Sequence, residues 1–380
     1  MIIITENIDH FATYHEFLGY SPKSSLFFDI ETTGFSPQSS FLFLIGMLYQ
    51  ENDCWKLTQL LAEEPEDECL LLRIFLETAD RYETLIHFNG STFDLPYLIK
   101  KAQILHLPHS LEHLRSLDLY RIFRPLGKLL SLENMKQQTL ETFLGWKRTD
   151  QLTGKDMICL FRQYTDSRRN SDNPRSDSAR LQTLLLLHNH DDMLGMTKLT
   201  CMAAYLALRD GNISSVTFCG FRETIRLCLT FTLSTAVPIP FSLSGQKSAP
   251  DRLSATSFYS DYALTVEGAH GTLSLPVYQG TLFHFFSDYK NYYYLPYEDQ
   301  AIHKSVASFV DKTCRIPAKA SNCYIKKSGT FLPQPEEIVS PIFKRSYEEN
   351  QLYFICNESF IEHTPLQKTY LSAVLRILLA

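Results

Sequence analysis

Short apolar runs separated by turn residues dominate the first part of the chain. Leu26–Ile30, Phe41–Tyr49 and Trp55–Leu61 are rich in aromatic and aliphatic residues, which predicts three strands. The connections between them are too short for crossover helices, so the pattern indicates an antiparallel meander. Residues 1–20 are expected to form a short helical lead-in.

The pattern then alternates between strand and helix. An acidic segment, Glu63–Glu68, predicts the start of a helix that runs to about Arg81, because acids in a first turn complement the helix dipole. The elements expected after it are a strand at Thr84–Phe88, a helix at Phe93–Ala102, a strand at Ser116–Leu119, helices at Leu132–Leu144 and Thr153–Tyr164, an exposed loop at Asp166–Ser178, and a long helix at Arg180–Leu208.

The first predicted strand ends in two carboxylates, Asp29 and Glu31. Residues i and i+2 of a strand share a face, so both carboxylates are expected on one side of a buried strand. Burying two ionised acids is costly unless a cation neutralises them. The pair therefore predicts a divalent metal site.

Two later segments offer further ligands. Asp94 follows the turn at Asn89–Gly90 and lies near the start of a predicted helix, where, taken alone, it is better explained as a helix N-terminal acid than as a metal ligand. His188 and Asp192 are four residues apart and share one helical face. Asp191 is the alternative to Asp192, but it has no such partner at i−4.

These residues carry a resemblance to a known family. The motifs, in chain order, are Asp-Ile-Glu-Thr-Thr-Gly from Asp29, Asn-Gly-x-x-Phe-Asp-Leu-Pro from Asn89 and His-Asn-x-x-Asp from His188. Together they resemble the three exonuclease motifs of the DEDD superfamily (DnaQ-like 3′–5′ exonucleases), and within it the YprB-like bacterial group. The resemblance covers about Leu26 to Leu208. It implies a ribonuclease H-like α/β fold, a mixed sheet flanked by helices.

The resemblance also implies roles for individual residues. Asp29, Glu31, Asp94 and Asp192 correspond to the metal ligands, holding two Mg²⁺ or Mn²⁺ ions. His188 stands where the tyrosine-type branch carries its Tyr, and position 187, where the histidine-type branch carries its His, is a leucine. His188 is therefore expected to activate water, or else to be a packed core histidine. Asn89, Ser91 and Thr92 are expected to hold the terminal nucleotide of the substrate.

The function expected from this set is two-metal hydrolysis of nucleic-acid phosphodiester bonds, as a 3′–5′ exonuclease on single-stranded DNA or RNA. The acids do not distinguish terminal from internal cleavage, so a structure-specific endonuclease of the same fold is one alternative. A non-catalytic nucleic-acid or protein-binding module is another.

The chain of 380 residues is long enough for two domains, expected at 1–210 and 211–380. Strand-like runs at Ile225–Leu233, Ala263–Val266 and Gly271–Leu275 predict a smaller β-rich α+β domain, with helices at Glu298–Lys312 and Ser359–Leu379. Lys319, Lys326 and Lys327 lie near an aromatic run and predict contacts with nucleic acid. The alternative is an ordinary β-rich core with a solvated basic rim.

Composition narrows the class of protein. No apolar run approaches the roughly 20 residues of a membrane span, and the first residues lack the features of a signal peptide. A cytoplasmic location is therefore expected. The nine cysteines form no Cys-x-x-Cys pair, which argues against a zinc ribbon or a disulfide framework.

Overall fold

The computed structural model divides into two units, Met1–Leu206 and Ala207–Ala380. It describes residues 1–9, 14–108, 111–170, 174–222, 226–245 and 261–380. The predicted strand at Ile225–Leu233 and the predicted loop at Asp166–Ser178 each fall partly outside these ranges. None of the described helices combines the length and the apolar character that crossing a bilayer requires.

The first unit is built on a six-stranded mixed sheet. Its strands are β1 (Ile2–Ile8), β2 (Ser25–Thr32), β3 (Leu42–Glu51), β4 (Cys54–Leu61), β5 (Thr84–His87) and β6 (Arg115–Asp118). Their spatial order is β1-β4-β3-β2-β5-β6. The pairs from β1 to β2 are antiparallel, whereas β2, β5 and β6 run parallel. The predicted meander and the mixed sheet are therefore both confirmed.

Turn chemistry sets the register of the meander. Asn52 and Asp53 join β3 to β4 and both have positive φ, 52° and 62°, as a two-residue hairpin turn of the primed type requires. Short polar side chains tolerate this backbone region better than other non-glycine residues. The turn fixes the pairing of Glu51 with Cys54, and the rest of the ladder follows.

The first residues form a strand instead of the expected helical lead-in. Ile2–Ile8 pairs antiparallel with β4 along its whole length, and the short helix α1 (His15–Leu18) comes later in the chain. The helical prediction was wrong because the β-branched residues Ile2, Ile3, Ile4 and Thr5 favour extended backbone. The open edge of β4 supplied the hydrogen-bonding partner.

Helices cover the sheet. They are α2 (Asp67–Ala79), α3 (Asp94–Ile104), α4 (Leu119–Phe123), α5 (Leu126–Leu129), α6 (Gln137–Phe143), α7 (Gly154–Asn170), α8 (Pro174–Leu199) and α9 (Ala203–Arg209). The helix predicted at Leu132–Leu144 is shorter, because the chain from Leu132 to Lys136 is not helical. The loop predicted at Asp166–Ser178 is largely helical: α7 continues to Asn170, and α8 begins at Pro174, a residue favoured at a first helical position.

The second unit is richer in strands. These are β7 (Ile213–Arg222), β8 (Arg226–Leu233), β9 (Phe241–Ser244), β10 (Ala263–Glu267), β11 (His270–Pro276), β12 (Tyr278–Phe285), β13 (Tyr292–Leu295), β14 (Gln300–His303), β15 (Ile316–Pro317), β16 (Tyr324–Gln334) and β17 (Leu352–Ile355). They form sheets ordered β7-β8-β11-β10-β9, β12-β16-β17 and β14-β13-β15. The helices α10 (Glu358–Ile361) and α11 (Thr364–Leu378) close the chain.

The helix predicted at Glu298–Lys312 is wrong. Gln300–His303 is a strand, β14, that forms a hairpin with β13. Asp299 occupies the turn with φ of 49° and accepts hydrogen bonds from the hydroxyls of Tyr294 and Tyr324 and from the ammonium of Lys326. These contacts fix the turn, so tertiary interactions outweigh a weak local helical pattern.

Candidate metal-dependent active site

Asp29 and Glu31 project from the same face of β2, in the middle of the sheet. Asp29 pairs with Gly46 of β3, and Glu31 pairs with Leu44. Leu26, Phe27 and Phe28 precede the acids and are fully buried. The two carboxylates therefore stand where a buried hydrophobic strand reaches the rim of the core.

Helix α8 brings a cluster of polar residues against this strand. The amide nitrogen of Asn189 donates to Asp29 Oδ2 over 3.1 Å. The Nε2 atom of His188 lies 3.4 Å from Glu31 Oε1 and 3.3 Å from Asp192 Oδ2. The sequence placed these residues on one helical face, and the structure directs that face at Asp29 and Glu31.

A glycine permits this close approach. A Cβ atom added at Gly46 would stand 2.4 Å from Asn189 Oδ1 and 2.8 Å from Met193 Cγ. Asn189 is fully buried, and its Oδ1 accepts a hydrogen bond from Gln59 on β4 over 2.9 Å. Any larger residue at position 46 would hold α8 away from the sheet and so separate Asn189 from Asp29.

The turn before α3 supplies the fourth acid. Asp94 is the first residue of α3, so its position at a helix N-terminus is confirmed. Burial, together with the charges of Glu31 and Asp118, raises the pKa of Asp94 to about 7. Asp94 thus lies close enough to Asp29 and Glu31 for the charges of these groups to affect one another's pKa.

Asp118 braces the turn that carries Asp94. It is buried at the end of β6 and accepts backbone N–H groups from Asn89 at 2.9 Å, Ser91 at 3.3 Å and Tyr120 at 3.1 Å. Asn89 adopts positive φ, 62°. With its oxygens occupied by backbone donors, Asp118 holds the turn and does not point into the acid cluster.

Asn89, Ser91 and Thr92 line the exposed side of this turn. The side chains of Asn89 and Thr92 are exposed and Ser91 is half-buried. Thr92 Oγ1 donates to the backbone carbonyl of Asn89 over 2.9 Å. The three residues precede Asp94 directly and are open to a ligand, and their role in binding substrate stays a prediction.

Burial and neighbouring charges shift the pKa values of the two strand acids. Burial raises the pKa of Asp29 well above its usual range, and the charges of Asp192, Glu31 and Asp94 raise it further. Burial likewise raises the pKa of Glu31, although the hydrogen bond from His188 opposes that rise. Asp29 and Glu31 are therefore harder to ionise, first because they are buried and then because other acids are close.

His188 is one of two counter-charges that the chain itself provides at the cluster, the other being the guanidinium of Arg148 at Asp192. Burial lowers the pKa of His188, but the hydrogen bond to Glu31 and the charge of Asp192 outweigh it and raise the pKa to about 10. In the absence of metal, the imidazole is therefore an imidazolium that lies between two carboxylates. The imidazolium, together with a guanidinium that is shared with the buried Glu141, supplies fewer positive charges than the cluster has carboxyl groups.

The donor set fits divalent cations. Ligand atoms from Glu31, His188 and Asp192 all lie within 4.8 Å of one another, and Asp29 and Asp94 influence the same cluster through their charge. Carboxylate oxygens are the ligands that Mg²⁺ and Mn²⁺ prefer. The excess negative charge is what a pair of such ions would neutralise.

Asp191 contacts different groups from those that Asp192 contacts. Its Oδ2 accepts the backbone N–H groups of Thr149 and Asp150, over 2.7 Å and 2.8 Å. It is buried against the loop before α7, whereas Asp192 faces Glu31 and His188. This geometry favours Asp192 over Asp191 as the fourth acid of the cluster.

Three residues that the sequence patterns did not single out complete the site. Arg148 Nη1 lies 2.6 Å from Asp192 Oδ1, and the same guanidinium forms a two-pronged ion pair with Glu141 at 2.5 Å and 2.8 Å. Asp150 Oδ2 lies 2.5 Å from His188 Nδ1. Arg148 and Asp150 fall in an irregular segment, and Glu141 is a single acid within α6, so their spatial proximity is what reveals them.

The lysines of the second unit are placed separately on the surface. Lys326 is ion-paired with Asp299 at 2.9 Å. Lys326 and Lys327 are consecutive in β16 and therefore point to opposite faces of the strand. Lys319 precedes a 3₁₀ turn at Ala320–Asn322 and is exposed. Their contact with nucleic acid stays a prediction.

A comparison of the sequence with protein families and the observed sheet topology indicate the same class of fold. Residues 26–203 match a family model described as the RNase_H superfamily. This range contains all four acids, and the first unit has a ribonuclease H-like fold, followed by a β-rich second unit. The predicted fold class is thereby confirmed.

Individual proteins resemble the chain only weakly. No protein of curated function matches the sequence. The family B DNA polymerase of the archaeon Pyrobaculum calidifontis is 13% identical, with a TM-score of 0.35 over 70% of this chain and 35% of the polymerase, so the chain spans about a third of that protein. The Nibbler EXO domain of Aedes aegypti is 14% identical, with a TM-score of 0.26 over 51% of this chain and 85% of that domain. An ExoI/SSB-Ct complex gives 10% identity and a TM-score of 0.27, covering 64% of this chain and 55% of that one.

Proposed function

We propose that this chain is a two-metal nuclease that hydrolyses phosphodiester bonds of nucleic acid. The observation that carries the proposal is the convergence of Asp29, Glu31, Asp94 and Asp192 from three separate segments on one partly buried cluster. Burial, and after it the repulsion between neighbouring carboxylates, raises the pKa of Asp29 and of Asp94, so bound cations would stabilise the ionised cluster. The ribonuclease H-like fold of residues 26–203 supports the same class of chemistry.

Each acid has a defined part in the proposed site. Asp29, at the centre of the sheet, would hold the ions together with Glu31, Asp94 and Asp192. Bound Mg²⁺ or Mn²⁺ would supply an activated water as nucleophile and relieve charge on the leaving oxygen. The chain holds the ligands in place: Asn189 orients Asp29, and Arg148 orients Asp192.

His188 handles the proton of the attacking water. Its Nε2 faces the acid cluster, and its Nδ1 faces away. Bound cations would offset the charges of Glu31 and Asp192, and Nε2 of His188 would then orient the water and accept its proton.

We further propose that the chain belongs to the DEDD (DnaQ-like) exonucleases, in the YprB-like group, and that it degrades single-stranded DNA or RNA from the 3′ end. The three motifs that begin at Asp29, Asn89 and His188 support this assignment. The exposed turn at Asn89–Thr92 precedes Asp94 and is the expected site for the terminal nucleotide.

The test is degradation of 5′-labelled DNA and RNA oligonucleotides with Mg²⁺ or Mn²⁺, with circular single strands in parallel. Successive shortening of linear substrates and intact circles are expected, and cleaved circles would establish an endonuclease instead. Asp29→Ala and Asp192→Ala should abolish activity and reduce Mn²⁺ binding by isothermal titration. Activity that survives both substitutions would remove this site, and absence of Mn²⁺ binding in the wild type would leave a non-catalytic module.

A further inference from the structure

The least exposed contact of His188 is with a residue outside the acid cluster. His188 Nδ1 lies 2.5 Å from Asp150 Oδ2, and the side chains of the two residues are 6% and 3% exposed. A carboxylate in this contact accepts, so Nδ1 carries the hydrogen and Nε2 is the nitrogen that faces Glu31 and Asp192. The contact thus determines which ring nitrogen is presented to the acids.

Asp150 is itself held firmly in place. Its backbone N–H donates to Asp191 Oδ2 over 2.8 Å, and its carboxylate accepts the N–H of Leu152 at 3.1 Å from each oxygen. Asp191 lies on α8, three residues after His188. The helix that carries His188 therefore also anchors the loop that positions its partner.

We propose that Asp150 is a positioning residue for the nuclease reaction: it fixes the ring orientation and the tautomer of His188 so that Nε2 faces the attacking water. The inference rests on the proposed function, because His188 needs a defined tautomer only if its Nε2 accepts a proton. Carboxylate partners that orient a histidine in this way support metal sites and nucleophilic triads alike.

The polar residues of α8 then each have a separate role. Asn189 binds Asp29, Asp191 anchors the loop at Thr149–Asp150, and Asp192 belongs to the acid cluster. His188 connects the cluster to Asp150.

Asp150→Asn is the discriminating substitution. Leu152 N–H lies 3.1 Å from each carboxylate oxygen, so an amide keeps the support of the loop in either orientation. The amide lacks the negative charge that holds the hydrogen on Nδ1 of His188, and with its NH₂ group at the position of Oδ2 it favours the opposite tautomer. A purely structural role for Asp150 would be rescued by Asn, whereas a positioning role would not be. The expected result is a fall in kcat of about 10- to 100-fold, with KM and the Kd for Mn²⁺ within about twofold of the wild type.

A double-mutant cycle separates action through His188 from any other action. In a His188→Ala background, Asp150→Asn should cause no further loss of kcat. Asp166→Asn, an exposed change on α7, is the matched control and should keep wild-type kcat. Full activity of Asp150→Asn, or an equal loss in the presence and absence of His188, would overturn the proposal.

A measurement independent of activity completes the test. In ¹⁵N-histidine-labelled protein, with and without Mg²⁺, the buried Nδ1–H of His188 should give a protected proton resonance, assigned by its loss in His188→Ala. Asp150→Asn should remove that resonance while the melting temperature stays close to that of the wild type. Persistence of the resonance in the variant would contradict the pairing. If the wild type shows the pairing but has no nuclease activity, the proposed function fails and the positioning role fails with it. If the wild type is active and Asp150→Asn has the same kcat, only the positioning role fails.

Discussion

The guanidinium of Arg148 pairs with two carboxylates, one at the acid cluster and one in the protein interior. It lies 2.6 Å from Asp192 of the cluster and donates two hydrogen bonds to the buried Glu141. The side chain of Glu141 is 1% exposed and that of Arg148 is 8% exposed. A pair this deeply buried is sensitive to the loss of either member, because the remaining charge cannot reach water.

Removing Arg148 alone should therefore destabilise the protein. We expect Arg148→Met to lower the free energy of unfolding by about 3–5 kcal/mol, measured by urea denaturation, because Glu141 is left buried without its cation. The double variant Arg148→Met with Glu141→Gln should recover much of that loss. Arg209→Met removes the cation of an exposed ion pair with Asp210 and serves as the control, expected close to wild type. Equal stability of Arg148→Met and wild type would show that the buried pair contributes nothing.

Stability without metal should fall as the pH rises. The pKa of Asp94 is raised from 3.8 to about 7, so between these values the folded protein keeps a proton that the unfolded chain has lost. The contribution of this group to the free energy of unfolding therefore declines from about pH 4 to about pH 7 and is constant above. His188, with its pKa raised from 6.5 to about 10, contributes stability that is complete below pH 6.5 and is lost toward pH 10.

Thermal melts in EDTA, with Asp94→Asn and His188→Gln beside the wild type, measure these two contributions. Relative to wild type, Asp94→Asn should gain stability between about pH 4 and pH 7, and His188→Gln should remove the decline above pH 6.5. Mn²⁺ should raise the melting temperature of the wild type more at pH 8 than at pH 6, because at the lower pH it must displace a proton from Asp94. A wild-type minus Asp94→Asn difference that does not vary with pH would refute the raised pKa.

Gly46 should be intolerant of any side chain. A Cβ at this position would stand 2.4 Å from Asn189 Oδ1, so Gly46→Ala must displace α8 from β3. We expect a loss of about 1–3 kcal/mol in the free energy of unfolding, together with reduced nuclease activity because Asn189 moves away from Asp29. Gly154→Ala is the control, since nothing lies within 4 Å of a Cβ there. Wild-type activity of Gly46→Ala would show that the contact between Asn189 and Asp29 is dispensable.

The predicted role of Lys319, Lys326 and Lys327 is open to a salt-dependence measurement. If these residues contact a single strand, changing all three to Gln should reduce the slope of log K against log salt by about 0.7 for each lost phosphate contact. Lys326 is already paired with Asp299, so its share should be the smallest. The control replaces the exposed Lys100, Lys290 and Lys368 by Gln. Equal slopes for the two triple variants would favour a solvated rim over a binding surface.

Local patterns were sufficient for most of the first sheet. The apolar runs ending at Ile30, Tyr49 and Leu61 predict β2, β3 and β4 because buried central strands need continuous hydrophobic sequence. The amino-terminal strand and β14 were mistaken for helices, since an edge strand is chosen by the partner it finds and not by its own periodicity.

Strand and helix geometry alone place Asp29 with Glu31, two residues apart, and His188 with Asp192, four residues apart, so the sequence is enough to predict these two pairs. It takes the packing of the elements to show that Asp191 faces the loop at Thr149–Asp150, that Arg148 links Glu141 to Asp192, and that Asp150 meets His188. These contacts join residues 38 or more positions apart, or lie in segments without periodicity. Sequence spacing reports the direction of a side chain within its own element, whereas the partner that it meets depends on how the elements pack.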